Sequence, residues 1–189
     1  MNDISLHLSD IIENSVRADA SLVIVNFQVD IIKNILEIEI IDNGKGMDAE
    51  TLSLSQNPFY TSKSERKKSV GLGIPLLRQN TELCNGYFSL ESNPGEGTSV
   101  KAGFAYDNID RMPAGNISDT ILTSVIGHPE TDFLFNLKKT DHSGVKSFEF
   151  STVIIKEELG EIPINYPEVI PVIESMLTEG IINTGMEEL

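Results

Sequence analysis

The chain has 189 residues, 40% hydrophobic and 23% charged, an ordinary globular composition with room for one generous domain or a domain and an extension. A formal net charge of −15 argues against nonspecific binding to nucleic acid or an anionic membrane, and no apolar run approaches the roughly 20 residues that span a bilayer. The single cysteine, Cys84, excludes an intrachain disulfide, and MNDISLHLSD lacks the basic and apolar stretches of a signal peptide, so a cytoplasmic protein is expected.

From Asp3 to Arg17, the apolar residues Ile4, Leu8, Ile11, Ile12 and Val16 recur at helical spacing. At about 100° per residue, His7, Asp10, Asn14 and Arg17 form a second stripe on the same helix. Such a polar stripe commonly does no more than face water. An asparagine amide oxygen is, however, also a hard donor suited to Mg²⁺, which takes oxygen ligands and retains waters and substrate phosphates. Two β-branched, alternating segments follow, Ser21–Asp30 and Asn34–Asp42, with Lys33-Asn34 as a hairpin turn.

The second hairpin strand runs into Asp42-Asn43-Gly44-Lys45-Gly46-Met47. As a turn, this sequence is unremarkable. A carboxylate at a strand end can also accept a hydrogen bond from an adenine amino group, and Gly44 and Gly46 let backbone approach a flat base. A short helix is expected near Ala49–Leu54. Thr61–Gly73 is the one basic segment, with Lys63, Arg66, Lys67 and Lys68 against Glu65. An isolated cluster of this kind is usually a solvated loop. Here it links Pro58-Phe59-Tyr60-Thr61-Ser62-Lys63 to Gly71-Leu72-Gly73, at the start of a helix expected over Gly73–Cys84. Glycine-rich backbone at a helix start presents free N–H groups and the positive end of the helix dipole to phosphate. Tyr60–Val70 offers little apolar surface, so it is expected to act as a lid ordered by nucleotide phosphates.

Asn85-Gly86 stops that helix, and strands at Tyr87–Ser92 and Thr98–Ala105 flank the turn Asn93–Gly97. The ordinary reading of Gly95-Glu96-Gly97-Thr98 is a β-turn; a hydroxyl at Thr98 could also support an adenine-binding acid. Further on, the pattern predicts a helix over Asn116–Ile126, stopped by Gly127 and Pro129. A hairpin of Asp132–Leu137 and Val145–Ile155 follows, then an amphipathic helix over Pro167–Glu179 with Val169, Val172, Ile173 and Met176 on one side. With no repeat or low-complexity linker, this region packs on the first unit or forms a small second lobe.

In this order, the Asn-bearing helix, DNGKGM, PFYTSK, GLGIPLL and GEGTSV resemble the GHKL ATPases: gyrase, heat-shock chaperone ATPase domains, histidine kinases and MutL. ENSVRADAS is similar to the MutL and chaperone form of the Asn box, whereas PFYTSK and GLGIPLLRQ look more like sensor histidine kinases. The resemblance covers roughly Asp3 to Ala105. It implies an α/β fold, the two-layer Bergerat sandwich of a mixed sheet with helices on one face. Residues 1–106 would be the ATP-binding domain, and residues 107–189 a C-terminal α+β extension. It further implies that Asn14 ligates Mg²⁺, that Asp42 reads adenine, and that Gly44, Gly46 and Met47 frame the base. Lys63, Gly71, Leu72 and Gly73 would meet the phosphates, and Thr98 would back up Asp42.

Two departures shape the functional expectation. ATP-hydrolysing relatives carry Glu one helical turn before the metal-binding Asn; this chain has Asp10, with the same charge and a shorter reach. Glu13 lies about 100° round the helix from Asn14 and is a poor substitute. Nothing resembles a phosphoacceptor helix, and His7, His128 and His142 are expected to be structural or solvent-facing. The resemblance therefore implies a regulatory ATP-binding protein with Asp10 as a weak catalytic base. It would hydrolyse slowly with Mg²⁺ or transfer phosphate to a protein partner in trans, and lengthening Asp10 to Glu would speed turnover. The alternative is a nonhydrolytic ATP-sensing module. Monomer and homodimer both remain open.

Overall fold

In the computed structural model, which describes residues 3–56 and 73–186, the alternating segments pair into one six-stranded sheet. The elements in chain order are α1 (Ile4–Arg17), β1 (Leu22–Asp30), β2 (Ile35–Asp42), α2 (Ala49–Ser55), α3 (Gly73–Leu83), β3 (Tyr87–Asn93) and β4 (Gly97–Ala105). They continue with α4 (Ile117–Gly127), β5 (Asp132–Asp141), β6 (Gly144–Ser151), α5 (Thr152–Leu159) and α6 (Ile170–Thr184). The strand order is β3-β4-β2-β1-β5-β6, with β1 and β5 parallel and the other neighbours antiparallel. The sheet is mixed.

Period-two alternation divides it into two faces. Val23, Val25, Phe27 and Val29 of β1, Leu36, Ile38 and Ile40 of β2, and Phe133, Phe135 and Leu137 of β5 are all buried in one core. Their alternates form the outer face, apolar at Ile24, Ile41 and Leu134 and polar further along, where Asn26 contacts both Glu39 and Asn136 and Lys101 bridges Glu37 and Glu39. On the core side, α1 lies against α3 and α4, and α4 packs on α6. Burying aliphatic and aromatic side chains between the layers contributes about 1.5–3 kcal/mol each. The result is a two-layer α/β sandwich. No helix among the described residues is long and apolar enough to cross a membrane.

α1 begins at Asp3, whose carboxylate accepts the Leu6 N–H at 2.9 Å, a helix N-cap. The next two amides, of Ile4 and Ser5, donate to Pro113 and Ala114, so the connection after β4 holds the start of α1.

The C-terminal third joins this sheet: β5 pairs with β1 along its length, and Ile121, Val125, Ile173 and Leu177 lie in the core that α1 lines. Several boundaries differ from the sequence expectation, and β5 runs on to Asp141 rather than ending at Leu137. The strand predicted to reach Ile155 ends at Ser151, and α5 starts at Thr152. β-Branched Thr152-Val-Ile-Ile155 reads as strand, but the buried Thr152 hydroxyl accepts the Phe133 N–H at 2.8 Å and turns the chain. The last helix starts at Ile170 rather than Pro167 and passes through Gly180, ending at the left-handed Gly185. Gly180 does not stop it because that position is filled by packing: a Cβ there would overlap the Phe148 ring. Its buried face is accordingly Ile173, Leu177, Gly180, Ile181 and Thr184, whereas Val172 and Met176 are exposed.

Leu177 is fully buried, so Leu177→Ala should lower stability by about 2–5 kcal/mol. Thermal unfolding followed by circular dichroism should remain a single transition with a lowered midpoint. Two separated transitions would show that the C-terminal region folds as a lobe of its own.

Candidate nucleotide-binding site

Along β2, the core-facing positions Leu36, Ile38 and Ile40 are followed by Asp42, so the same alternation buries a carboxylate at the strand's end. A buried charge must be met by hydrogen bonds. The Ser15 hydroxyl donates to Asp42 Oδ2 at 2.7 Å, while the Gly44 and Thr98 amides donate to Oδ1 at 2.9 and 3.2 Å. An ionised carboxylate accepts about four hydrogen bonds, so these three donors leave one acceptor position, on Oδ2.

The loop after Asp42 is tied down on both sides. Asn43 Oδ1 accepts the Ser21 and Leu22 amides, Lys45 N donates to Ala18 O at 2.9 Å, and Gly95 N donates to Lys45 O at 2.7 Å. Gly46 has φ +65°, and a Cβ on it would overlap the Asn93 carbonyl. Its bareness therefore serves the protein's own backbone before any base. Gly97, at φ +101°, is pressed in the same way against the Asp42 carbonyl.

Thr98 supports Asp42 through its amide rather than its hydroxyl. Ser92 Oγ donates to Gly97 O and accepts the Met47 N–H, so the Thr98 hydroxyl, 2.9 Å away, is left to donate to Ser92. Met47 is thereby fixed at the rim of the loop. The sequence motifs alone do not point to Ser15 or Ser92. Ser15 did carry a signal, since it follows Ile11 and Ile12 on the buried side of α1 and its hydroxyl interrupts an apolar stripe.

Four residues before Asn14 on α1, Asp10 turns its carboxylate toward the first residue of α3. A Cβ on Gly73 would overlap Asp10 Oδ2. Asp10 and Asn14 are half-buried, and at 1.5 Å per residue the span from Asp10 to Ser15 is about 7.5 Å of helix axis. α1 thus links the Asp10–Gly73 contact to the Asp42 cluster, with Asn14 between them. Glu13 points elsewhere, with His128 Nε2 at 2.6 Å and Arg17 at 3.5 Å, an arrangement that keeps it from the position of a base.

His7 is completely buried, and its Nε2 lies 3.1 Å from Asn80 Nδ2. Burial, the largest influence, holds the imidazole below its ordinary pKa, against the opposing pull of the Gly73 backbone and of Asp10 and Asp3. His142 is exposed at the β5–β6 turn. Lys63, Gly71, Leu72 and the lid expected over Tyr60–Val70 lie outside the described residues.

Residues 2–108, more than half of the chain, match the family described as histidine kinase-, DNA gyrase B-, and HSP90-like ATPase. The sensor histidine kinase YxdK of Bacillus subtilis (strain 168) is 33% identical over 69 residues, covering 35% of this chain and 21% of its own length. The sensor protein DegM of Bacillus sp. (strain B21-2) is 30% identical over 99 residues, covering 52% of this chain and 26% of its own. The chain thus spans about a quarter of the length of these relatives. The crystal structure of the N-terminal domain of a DNA repair protein shares the fold, with a TM-score of 0.56 and 14% identity over 98% of this chain and 58% of that one. The ordered motifs, the mixed sheet and the family match agree: this chain belongs to the histidine kinase-, DNA gyrase B-, and HSP90-like ATPase family.

Proposed function

We propose that this protein binds ATP with Mg²⁺ beside α1 and acts as a slow, regulatory ATPase or as a phosphate donor to a protein partner in trans. The observation that carries the reading is Asp42, a buried carboxylate with three protein donors and one remaining acceptor position. An adenine amino group supplies the missing donor, and the Gly44–Met47 loop lies beside it. Thr98 and Ser15 hold the carboxylate in place.

Asn14 offers a half-buried amide oxygen, a hard donor of the kind Mg²⁺ accepts. No group of three or more His, Cys, Asp or Glu gathers into a metal site among the described residues. A single protein ligand fits a Mg²⁺ held otherwise by nucleotide phosphates and water, where it would neutralise phosphate charge. The backbone at Gly73 opens α3 and would meet phosphate with the positive end of that helix, together with Gly71, Leu72 and Lys63.

Asp10 takes the part of general base. It would accept a proton from water as the water oxygen bonds to the γ-phosphorus and the bond to the bridging oxygen breaks, releasing ADP. A base must come within about 2.6–3.2 Å of the water it activates. The shorter aspartate is held against Gly73, and misplacement by about 1 Å can cost on the order of a hundredfold in rate, so turnover is expected to be slow. That same feature supports the second reading, an ATP sensor that does not hydrolyse; phosphate release by the purified protein separates the two. The relatives are sensor proteins of which the matched segment makes up only about a quarter, in keeping with a domain that works with a protein partner.

Asp42→Asn should weaken ATP binding by about 1.5–3 kcal/mol, roughly ten- to a hundredfold in Kd by calorimetry, because a charge-assisted hydrogen bond is replaced by a neutral one. Unchanged affinity would remove Asp42 from the adenine site. For Asp10→Asn, ATP affinity should persist while phosphate release disappears. Equal rates for this variant and the wild type would exclude Asp10 as the base.

A further inference from the structure

Two buried side-chain atoms among the described residues make no hydrogen bond: His7 Nδ1 and Asp10 Oδ2. They belong to neighbouring turns of the same α1 face, and their chemistry is complementary. Asn80 Nδ2 lies 3.1 Å from His7 Nε2 and 3.2 Å from Met112 Sδ. A thioether only accepts, so the nitrogen of the Asn80 amide faces both groups and donates to both. His7 Nε2 is therefore an acceptor, and the ring's proton resides on Nδ1. The enclosed imidazole stays neutral because burial disfavours its charged form.

One orphan is thus a donor and the other an acceptor. Leaving both unpaired would forfeit their hydration with nothing in return. They share one neighbour as well: the Gly73 backbone lies near enough to the His7 ring to pull its pKa upward as a hydrogen-bond acceptor would, yet completes no bond to Nδ1, and Asp10 Oδ2 occupies the space where a Cβ on Gly73 would stand. A buried water needs two to four polar partners, and this corner provides a donor, an acceptor and adjacent backbone.

We infer that one buried water molecule bridges His7 Nδ1–H and Asp10 Oδ2 beneath Gly73, and that His7 is the positioning residue for Asp10. The water accepts from the imidazole and donates to the carboxylate. With Oδ2 held in this way, Oδ1 is the oxygen that can face an attacking water. A short side chain that cannot adapt by reach gains its orientation from behind. The positioning role rests on Asp10 acting as base in the proposed function; the bridge itself does not.

The test uses the full chain and two substitutions. In His7→Asn the side-chain amide lies near the place of Nδ1 and can keep a donor there, whereas in His7→Gln it lies near the place of Nε2 and the Nδ1–H is lost. ¹H–¹⁵N spectra of the wild-type imidazole should show the Nδ1–H tautomer, and Asp10→Asn should shift that ring's resonances. His7→Gln should lower kcat for ATP hydrolysis at least tenfold with ATP Kd within twofold of wild type, and His7→Asn should recover a substantial part of the loss. An Nε2–H tautomer, or a ring indifferent to Asp10→Asn, overturns the bridge. A His7→Gln protein that loses ATP affinity and kcat together, or a His7→Asn protein no faster than it, overturns the positioning role. If the wild type binds ATP without turnover, the hydrolytic reading fails and the positioning role with it, while the spectra still decide the bridge.

Discussion

A carboxylate is buried at the end of a core-facing apolar stripe, and much of the molecule's local geometry follows from keeping Asp42 satisfied there. Its donors come from three separate places: the Ser15 hydroxyl on α1, the Gly44 amide in the loop after β2, and the Thr98 amide on β4. Each must be held to within hydrogen-bonding tolerance, or a charge is left unpaired in the core. This explains why the loop after Asp42 is tied to both the end of α1 and the β3–β4 turn. It also explains why the backbone packs too tightly for side chains at Gly46 and Gly97. The candidate site is not a pocket added to a finished fold. The hydrogen bonds that would fix it for a ligand also join α1 to the sheet.

α1 has to serve two environments at once. Ile4, Leu8, Ile11 and Ile12 anchor it to the core, while Asp10 and Asn14 lie half-buried along the edge of that anchor. Rigid packing of one stripe positions the other, since side chains four apart on a helix share a face. Glu13 shows how orientation decides a role. It lies only one residue from Asn14, but its contacts with His128 and Arg17 commit it to the α4 side. Proximity in sequence confers nothing when the helix turns by 100°.

Much of this was legible in the sequence, because the two periods of secondary structure also place chemistry. Alternation over Ile35–Asp42 announces both the strand and the burial of Asp42, and the turn residues around Gly44 and Gly97 announce sharp backbone. What could not be read were interactions between residues far apart in the chain. The identity of the donors to Asp42 depends on α1 crossing β2, so by sequence alone Ser15 reads as an ordinary helix residue and Thr98 offers its hydroxyl where the fold uses its amide. His7 joined a polar stripe by helical phase, yet Asn80 and Met112 enclose it from elements far along the chain. Gly180 and Thr152-Val-Ile-Ile155 misled for the same reason. Local propensity favoured a stop and a strand, and contacts with Phe148 and Phe133 overrode both.

The family match ends at residue 108, but the sheet does not. Without β5, β1 would be an edge strand with a row of unpaired backbone groups, a poor foundation for the strand beside it. Parallel pairing along Leu22–Asp30 makes β1 an interior strand and places Phe133, Phe135 and Leu137 next to Val23, Val25 and Phe27. α4 then contacts α1, and α6 closes over β5 and β6. The chain after β4 therefore bears on the site from two directions: it holds the start of α1 through Pro113 and Ala114, and it holds Glu13 on the far side through His128. A helix fixed at its first turn and along its flank has little freedom to slide. That restraint keeps Asp10, Asn14 and Ser15 in constant register with the carboxylate at the end of β2.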